Sequence, residues 1–180
     1  MDFHSVLKSL VHGFDREDVA YAMMGGFALG LWGVQRATVD LDFLVRKADL
    51  PRVHAIMTGM NYHLLHQSEN VSQYVSDLRV FGEVDYLHAF REATTHMLAR
   101  AATKPLFGGV LEIPVLLPED LIGLKVQAFV NDPSRSRDRD DIIALMDRHG
   151  NSMDWTRIEG YFALFERLDL LAELRKAAGL

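Results

Sequence analysis

The chain has 180 residues, of which 49% are hydrophobic and 24% charged, and its formal net charge is −6. This balance is typical of one globular domain with a substantial core, and it excludes a disordered chain. The absence of cysteine excludes disulfides, thiolate metal sites and cysteine nucleophiles. Because the net charge is negative, a nucleic-acid partner would need a local basic patch.

The N-terminal segment is predicted to be an amphipathic helix, because apolar residues recur at helical spacing over residues 2–12. Asp2 and the lack of a basic region before a long apolar run argue against a signal peptide. Residues 19–35 carry no charge, but four glycines and a marginal length argue against a membrane span. We therefore expect a cytoplasmic protein without a membrane partner.

A glycine pair follows the first predicted strand. Residues 19–24 predict a buried strand, and Gly25 and Gly26 lead from it into a helix that ends near Gly33. Backbone N–H groups at such a turn can point at an anion, so the glycine pair indicates a phosphate-binding position.

Two carboxylates lie in the next predicted strand, residues 39–45. Asp40 and Asp42 flank Leu41, and alternate residues of a strand point to the same face. Both carboxylates are therefore expected to point one way, with Cα atoms ~6.5–7 Å apart, while Val39 and Leu41 occupy the opposite face. Carboxylates at this spacing can share one divalent cation, or a pair of cations about 3.5–4 Å apart.

The downstream chain alternates between predicted strands and helices. The predicted elements are a helix over 48–60, strands over 62–67, 71–80 and 82–88, a helix or irregular crossover over 91–102, a strand over 110–117, a helix opened by Pro118, and two helices after Trp155. Pro114 lacks a ladder donor, so the strand over 110–117 is predicted to lie at an edge of the sheet.

A run of alternating charges follows the Pro118 helix. Its arginines are Arg135, Arg137 and Arg139, and its aspartates are Asp132, Asp138, Asp140 and Asp141. Because these charges nearly cancel, we interpret the run as a solvated loop and helix start rather than an RNA-binding surface. Asp138 and Asp141 are interpreted as capping and first-turn acids. His88 is interpreted as a surface or half-buried histidine outside any site.

The order Gly25-Gly26, helix, Arg36-x-Thr38 and Asp40-x-Asp42 resembles the nucleotidyltransferase superfamily, and it is most similar to the AbiEii-type and minimal branch. The resemblance continues in the segments PEDLIGLKVQAF and RSRDRDDIIAL, where an arginine replaces the lysine that usually precedes the aspartate. It implies an α/β (α+β) nucleotidyltransferase fold, with a mixed twisted sheet flanked by helices. Residues 1–117 would form the catalytic core, and residues 118–180 a C-terminal helical part packed on it.

The resemblance also implies an activity and a set of site residues. Members of the superfamily transfer a nucleoside monophosphate from an NTP to a hydroxyl acceptor with Mg²⁺ or Mn²⁺. The implied catalytic and metal-binding residues are Asp40, Asp42 and Asp85, and the implied nucleotide-binding residues are Gly25, Gly26, Arg36, Thr38 and Lys125. Arg36 can instead form a salt bridge with a strand aspartate, and Lys125 can simply extend along its apolar helix. The acceptor (tRNA, protein or small molecule) and an antitoxin partner stay open.

Three other interpretations compete with this one. Haloacid-dehalogenase phosphatases carry Asp-x-Asp in their first strand, whereas here a strand and a helix come before it, and Leu44 replaces the expected small residue. Metal-dependent glycosyltransferases place a longer nucleotide-binding half before their Asp-x-Asp. A nucleotidyltransferase-like domain that binds a nucleotide or a protein without turnover is the non-enzymatic alternative. All three carboxylates are present, which favours an enzyme.

Overall fold

The computed structural model describes all 180 residues. The helices are α1 (Phe3–Arg16), α2 (Gly25–Leu31), α3 (Leu50–Gly59), α4 (Glu92–Ala99), α5 (Pro118–Asn131), α6 (Ser136–His149), α7 (Trp155–Leu164) and α8 (Leu168–Ala177). The strands are β1 (Tyr21–Met24), β2 (Leu41–Arg46), β3 (Tyr62–Gln67), β4 (Val71–Ser76), β5 (Glu83–Ala89), β6 (Ala102–Leu106) and β7 (Leu111–Val115). None of these helices combines the length and the apolar character that crossing a membrane requires.

The chain forms two compact units. Residues 1–28 and 37–116 form the first, which we call the sheet unit, and residues 29–36 and 117–180 form the second, which we call the helical unit.

The sheet unit is built on a seven-stranded mixed sheet in the order β3-β4-β5-β2-β1-β7-β6. Strands β2 and β5 run parallel, as do β1 and β7, while the other neighbouring pairs are antiparallel. This arrangement confirms the predicted mixed α/β fold. It also makes the strand that carries Asp42 a direct neighbour of the strand that carries Asp85.

One face of the sheet is held by an aromatic cluster. Phe43 of β2 stacks on Tyr86 of β5 with ring centroids 5.8 Å apart, and Phe14 of α1 packs edge-on against Phe43. All three side chains are fully buried. Helix α1 can supply Phe14 because its apolar residues lie on one stripe, and Asp2 caps it by accepting from the Ser5 N–H at 3.1 Å. The cluster holds β2 and β5 in register, and this register determines which side chains are neighbours on the opposite face of the sheet.

Two predictions about strands are wrong. Strand β2 begins at Leu41, so Asp40 lies just before it, and Val39 is 78% exposed instead of facing the core. Strand β7 lies inside the sheet, and the edge is β6, a short strand that the sequence does not predict. Proline is tolerated in β7 because the pairing with β1 is confined to Val115, which comes after Pro114 in the strand and pairs with Met23.

The helical unit consists of α5–α8 with residues 29–36. Helix α5 packs on α6 and α7, and α8 packs on both of those helices. Pro118 opens α5 as predicted, and the two acids that follow it are buried. Glu119 Oε1 accepts from the Asp154 N–H at 2.9 Å, and Asp120 Oδ1 accepts from the Tyr161 hydroxyl at 2.7 Å. These bonds join the start of α5 to α7.

Candidate active site

Two of the predicted carboxylates meet on the sheet. Asp42 of β2 and Asp85 of β5 are direct register partners in parallel strands, so their side chains leave the same face. Gln73 of β4 is the partner of Asp85 on the other side, and its Nε2 amide donates to Asp85 Oδ2 at 3.1 Å. A polar row therefore crosses β4, β5 and β2 on the face opposite the aromatic cluster.

Asp85 has one oxygen without a partner. Its Oδ1 atom is buried and accepts no hydrogen bond. Burial raises the pKa of Asp85, and the nearby Asp40 charge raises it further, against the opposing effect of the Gln73 hydrogen bond. A buried carboxylate oxygen without a donor costs about 1–3 kcal/mol. A cation or a proton received from a substrate would remove that cost.

Gly25 lies against Asp42. It turns the chain from β1 into α2 with a φ of +67°, a conformation that favours glycine. A Cβ atom at this position would overlap the Asp42 carboxylate. Glycine is therefore required here both by the backbone and by the carboxylate beside it. Gly26 is the next residue of α2.

Asp40 is held by a residue two positions earlier in the chain. The Thr38 hydroxyl donates to Asp40 Oδ1 at 2.7 Å, so Thr38 orients a carboxylate directly. Because Asp40 lies outside β2, the alternation of strand residues does not set its direction. Its charge nevertheless acts on the pKa of Asp85.

The carboxylate oxygens on this face are ligands of the kind that Mg²⁺ and Mn²⁺ prefer. The unpartnered Asp85 oxygen fits such an ion. No group of three or more histidine, aspartate or glutamate side chains converges closely enough to hold a metal ion as the side chains stand. Asp40 and Asp85 each accept instead from a protein donor, Thr38 and Gln73 respectively.

The two remaining predicted residues, Arg36 and Lys125, belong to the helical unit. Lys125 Nζ donates to Asp138 Oδ1 at 2.8 Å and to Asp141 Oδ2 at 2.7 Å. Arg36 Nε lies 3.5 Å from Asp141 Oδ2, so it pairs with an aspartate of α6. The nucleotide-binding roles of Arg36 and Lys125 stay predictions.

Asp138 lies in the first turn of α6 as predicted, but Asp138 and Asp141 are buried in this ion-pair network instead of belonging to a solvated helix start. Burial alone would raise the pKa of Asp138, but hydrogen bonds from Lys125 and Arg135 outweigh it and lower the pKa below the usual value. The side chains of Lys125, Asp138 and Asp141 are 12%, 8% and 7% exposed. Charges this deep stay charged only while they remain paired.

His88 is fully buried rather than on the surface. Its ring nitrogens contact the Glu69 carbonyl at 2.9 Å and the Ser72 hydroxyl at 3.1 Å, so it joins β5 to β4 and the loop before it. Burial lowers its pKa. His88 is thus a structural residue outside the polar row.

Sequence reasoning missed Gln73, the residue that holds Asp85. It is a polar residue in the alternating strand VSQYVS, and such a position gives no signal until the partner strand is known. The predicted site residues that share this face of the sheet unit are Asp42, Asp85 and Gly25. Thr38 and Asp40 lie just before β2.

Nearly the whole chain matches one known protein family. The sequence model of the family described as "Nucleotidyl transferase AbiEii toxin, Type IV TA system" matches residues 5–178. A search of curated proteins found no match.

Solved structures share the fold. The solution structure of the antibiotic-resistance factor ANT(2'')-Ia has a TM-score of 0.68 at 14% identity, over 96% of this chain and 97% of that chain. An antigenic nucleotidyltransferase-like protein from Paracoccidioides brasiliensis has a TM-score of 0.58 at 18% identity, over 97% of this chain and 92% of that chain. The lincosamide antibiotic adenylyltransferase LnuA has a TM-score of 0.52 at 15% identity, over 78% of this chain and 94% of that chain.

Proposed function

The chain belongs to the AbiEii family of nucleotidyltransferases, and from this premise we propose that it moves a nucleoside monophosphate from an NTP to a hydroxyl acceptor with a divalent cation. It is an enzyme that transfers nucleotidyl groups. The observation that carries the finer proposal is the pairing of Asp42 with Asp85 on adjacent parallel strands, directly beside Gly25. Two carboxylates on one face suit a divalent cation, and that cation would offset the negative charge of the NTP.

The carboxylates would bind the cation that offsets the negative charge of the NTP. An NTP brings about four negative charges, and bound Mg²⁺ or Mn²⁺ would offset them and favour in-line attack at the α-phosphorus. Asp40 and Asp42 would hold the ion, with Thr38 keeping Asp40 in place. Asp85 would complete the ligand set and receive the proton of the attacking hydroxyl, while Gln73 holds its other oxygen.

The backbone would hold the departing phosphates. Gly25 and Gly26 begin α2, and the position of Gly25 next to Asp42 supports the prediction that the triphosphate lies against this turn. Arg36 and Lys125 are proposed to contact the nucleotide as well. For Lys125 this contact would have to coexist with the Asp138 and Asp141 pairs.

We propose that the protein acts as the toxin of a toxin–antitoxin pair in the cytoplasm, because the family description names a toxin of a type IV system. An antitoxin protein would then be its partner. The acceptor would be a tRNA, a protein or a small molecule. A small-molecule acceptor gains some support from the fold, since one structure of ANT(2'')-Ia is a complex with adenylyl-2''-tobramycin.

Labelled nucleotides test the proposal. The full chain would be incubated with Mg²⁺ and each NTP in turn, labelled at the α- or the γ-phosphate, and offered bulk tRNA, cell protein and an aminoglycoside. We expect α-label on one acceptor class and no γ-label on any. An NTP that binds without transferring label would instead support the domain without turnover.

A further inference from the structure

A cavity of about 330 Å³ lies in the helical unit at the start of α6. Its lining residues are Arg36, Ser134, Arg135, Ser136, Arg137 and Asp138. The volume is roughly ten times the ~30 Å³ share of one water molecule in the liquid, which is ample for a phosphate group.

The lining of the cavity is basic, because three arginines face a single aspartate. Both oxygens of that aspartate are already used, since Asp138 Oδ1 accepts from Lys125 and Oδ2 accepts from Arg135 Nε at 2.6 Å. Ser134 is also engaged, donating its hydroxyl to Asp132 at 2.6 Å. Arg137 is exposed in the first turn of α6, where the helix dipole adds positive potential.

Arg36 contributes an unused donor to this lining. Its Nε atom is buried and donates no hydrogen bond, although Asp141 Oδ2 lies 3.5 Å away. The side chain is 27% exposed, so part of the guanidinium reaches solvent. A phosphate oxygen would supply the acceptor that this buried donor lacks.

We infer that this cavity binds a phosphate group of a substrate through Arg36, Arg137 and the start of α6. The planar guanidinium groups suit phosphate oxygens, which they contact in pairs. The inference revises the interpretation of the arginine run as solvated, because two of its four aspartates, Asp138 and Asp141, turn inward to Lys125. It rests on the proposed function only for the source of the phosphate, which is either the triphosphate of the donor or the phosphodiester of an RNA acceptor.

Two matched variants of the full chain test the inference. Arg137→Gln removes a lining charge, whereas Arg139→Gln removes a charge from the same helix that pairs with Glu173 at 2.6 Å and does not line the cavity. The probes are inorganic tripolyphosphate and bulk tRNA, with affinities measured by calorimetry at two salt concentrations. We expect Arg137→Gln to weaken one probe about tenfold and to reduce its salt dependence, while Arg139→Gln stays within about twofold of wild type.

Each outcome has a defined meaning. Loss of tripolyphosphate affinity assigns the phosphate to the donor, and loss of tRNA affinity alone assigns it to an RNA acceptor. Equal affinities in all three proteins, or an equal loss in both variants, would overturn the inference. Since Arg137 is exposed, a circular dichroism melt of the variant should match that of wild type. Because binding needs no turnover, a chain that transfers no label can still show this loss of affinity. A normal transfer rate would not support phosphate binding in the cavity if the three proteins bound the probes equally.

Discussion

At the scale of single residues, Gly25 has a positive φ and leaves no room for a side chain beside Asp42. We predict that Gly25→Ala lowers nucleotidyl transfer by at least about 100-fold, because Asp42 must move away from its present position. The positive φ adds about 1 kcal/mol of destabilisation. Transfer rate and the free energy of unfolding would both be measured.

Gly30 is the matched control on the same helix. Nothing lies within 4 Å of a Cβ placed there. Gly30→Ala should keep full activity and gain roughly 0.5–1 kcal/mol of stability, since alanine is the better helix former. Comparable activity losses in the two variants would show that the Asp42 contact is not what Gly25 protects.

Thr38 is predicted to act through Asp40. Thr38→Val keeps the shape of the side chain but removes the hydroxyl that donates to Asp40 Oδ1. We expect kcat to fall about tenfold with little change in KM for the NTP, because the variant loses one hydrogen bond to a charged group. Thr38→Ser should restore most of the rate. A rise in KM with an unchanged kcat would point to direct nucleotide binding by Thr38 instead.

At this scale the alternation of strand residues predicted the direction of one carboxylate and not that of another. Asp42 lies inside a strand, so alternation predicted its face correctly. Asp40 lies before the strand, where a threonine hydroxyl sets its direction, and period-two reasoning does not apply. Gln73 could not be found from the sequence, because only the pairing of β4 with β5 brings it to Asp85.

At the scale of elements, the Lys125 network joins α5 to α6 through buried charges. We predict that Lys125→Met lowers the free energy of unfolding by about 3 kcal/mol at pH 7, because it leaves two buried carboxylates without their shared partner. Urea denaturation measures the change. Lys176→Met, at an exposed position of α8, should change stability by less than about 0.5 kcal/mol. Similar losses in both variants would contradict the structural role of the network.

The same network gives a pH dependence with a definite sign. In the wild type the pKa of Asp138 is lowered, so its contribution to stability is present above its usual value of 3.8 and is lost as the pH falls through the lowered pKa. In Lys125→Met, Asp138 loses one of the two hydrogen-bond donors that oppose the effect of burial, so its pKa rises relative to wild type. Asp138 is then protonated at a higher pH in the variant than in the wild type, so the difference in stability between the two proteins should narrow as the pH falls from 7 through the usual value of 3.8. A constant or widening gap would exclude Asp138 as the cause.

The elements themselves were predictable to different degrees. The helix opened by Pro118 follows from a strong local pattern, whereas the pairing of β2 with β5 joins distant parts of the chain and was implied only by the resemblance. Strand β6 does not, because its five residues include Pro105 and form no alternating apolar pattern. The burial of Asp138 and Asp141 also escaped prediction, since it depends on Lys125, which lies 13 and 16 residues earlier in the chain.

At the scale of the whole molecule, the order of the motifs along the chain predicted both the family and the mixed sheet. Gly25-Gly26 and Asp40-x-Asp42 predicted a nucleotidyltransferase, and the match over residues 5–178 confirms it. The cavity at the start of α6 was beyond prediction, because an arginine run with interleaved aspartates looks neutral until the inward-turned carboxylates are known.

The central claim is that Asp42 and its neighbours perform nucleotidyl transfer, and a single pair of variants tests it most directly. Asp42→Asn keeps the size of the side chain and removes its charge, while Asp77→Asn does the same at a side chain that is 84% exposed. Transfer of α-label from the NTP to the acceptor would be measured for both, with unfolding curves as a check on the fold. We predict that Asp42→Asn abolishes transfer and that Asp77→Asn retains the wild-type rate. Undiminished transfer by a folded Asp42→Asn protein would contradict the account.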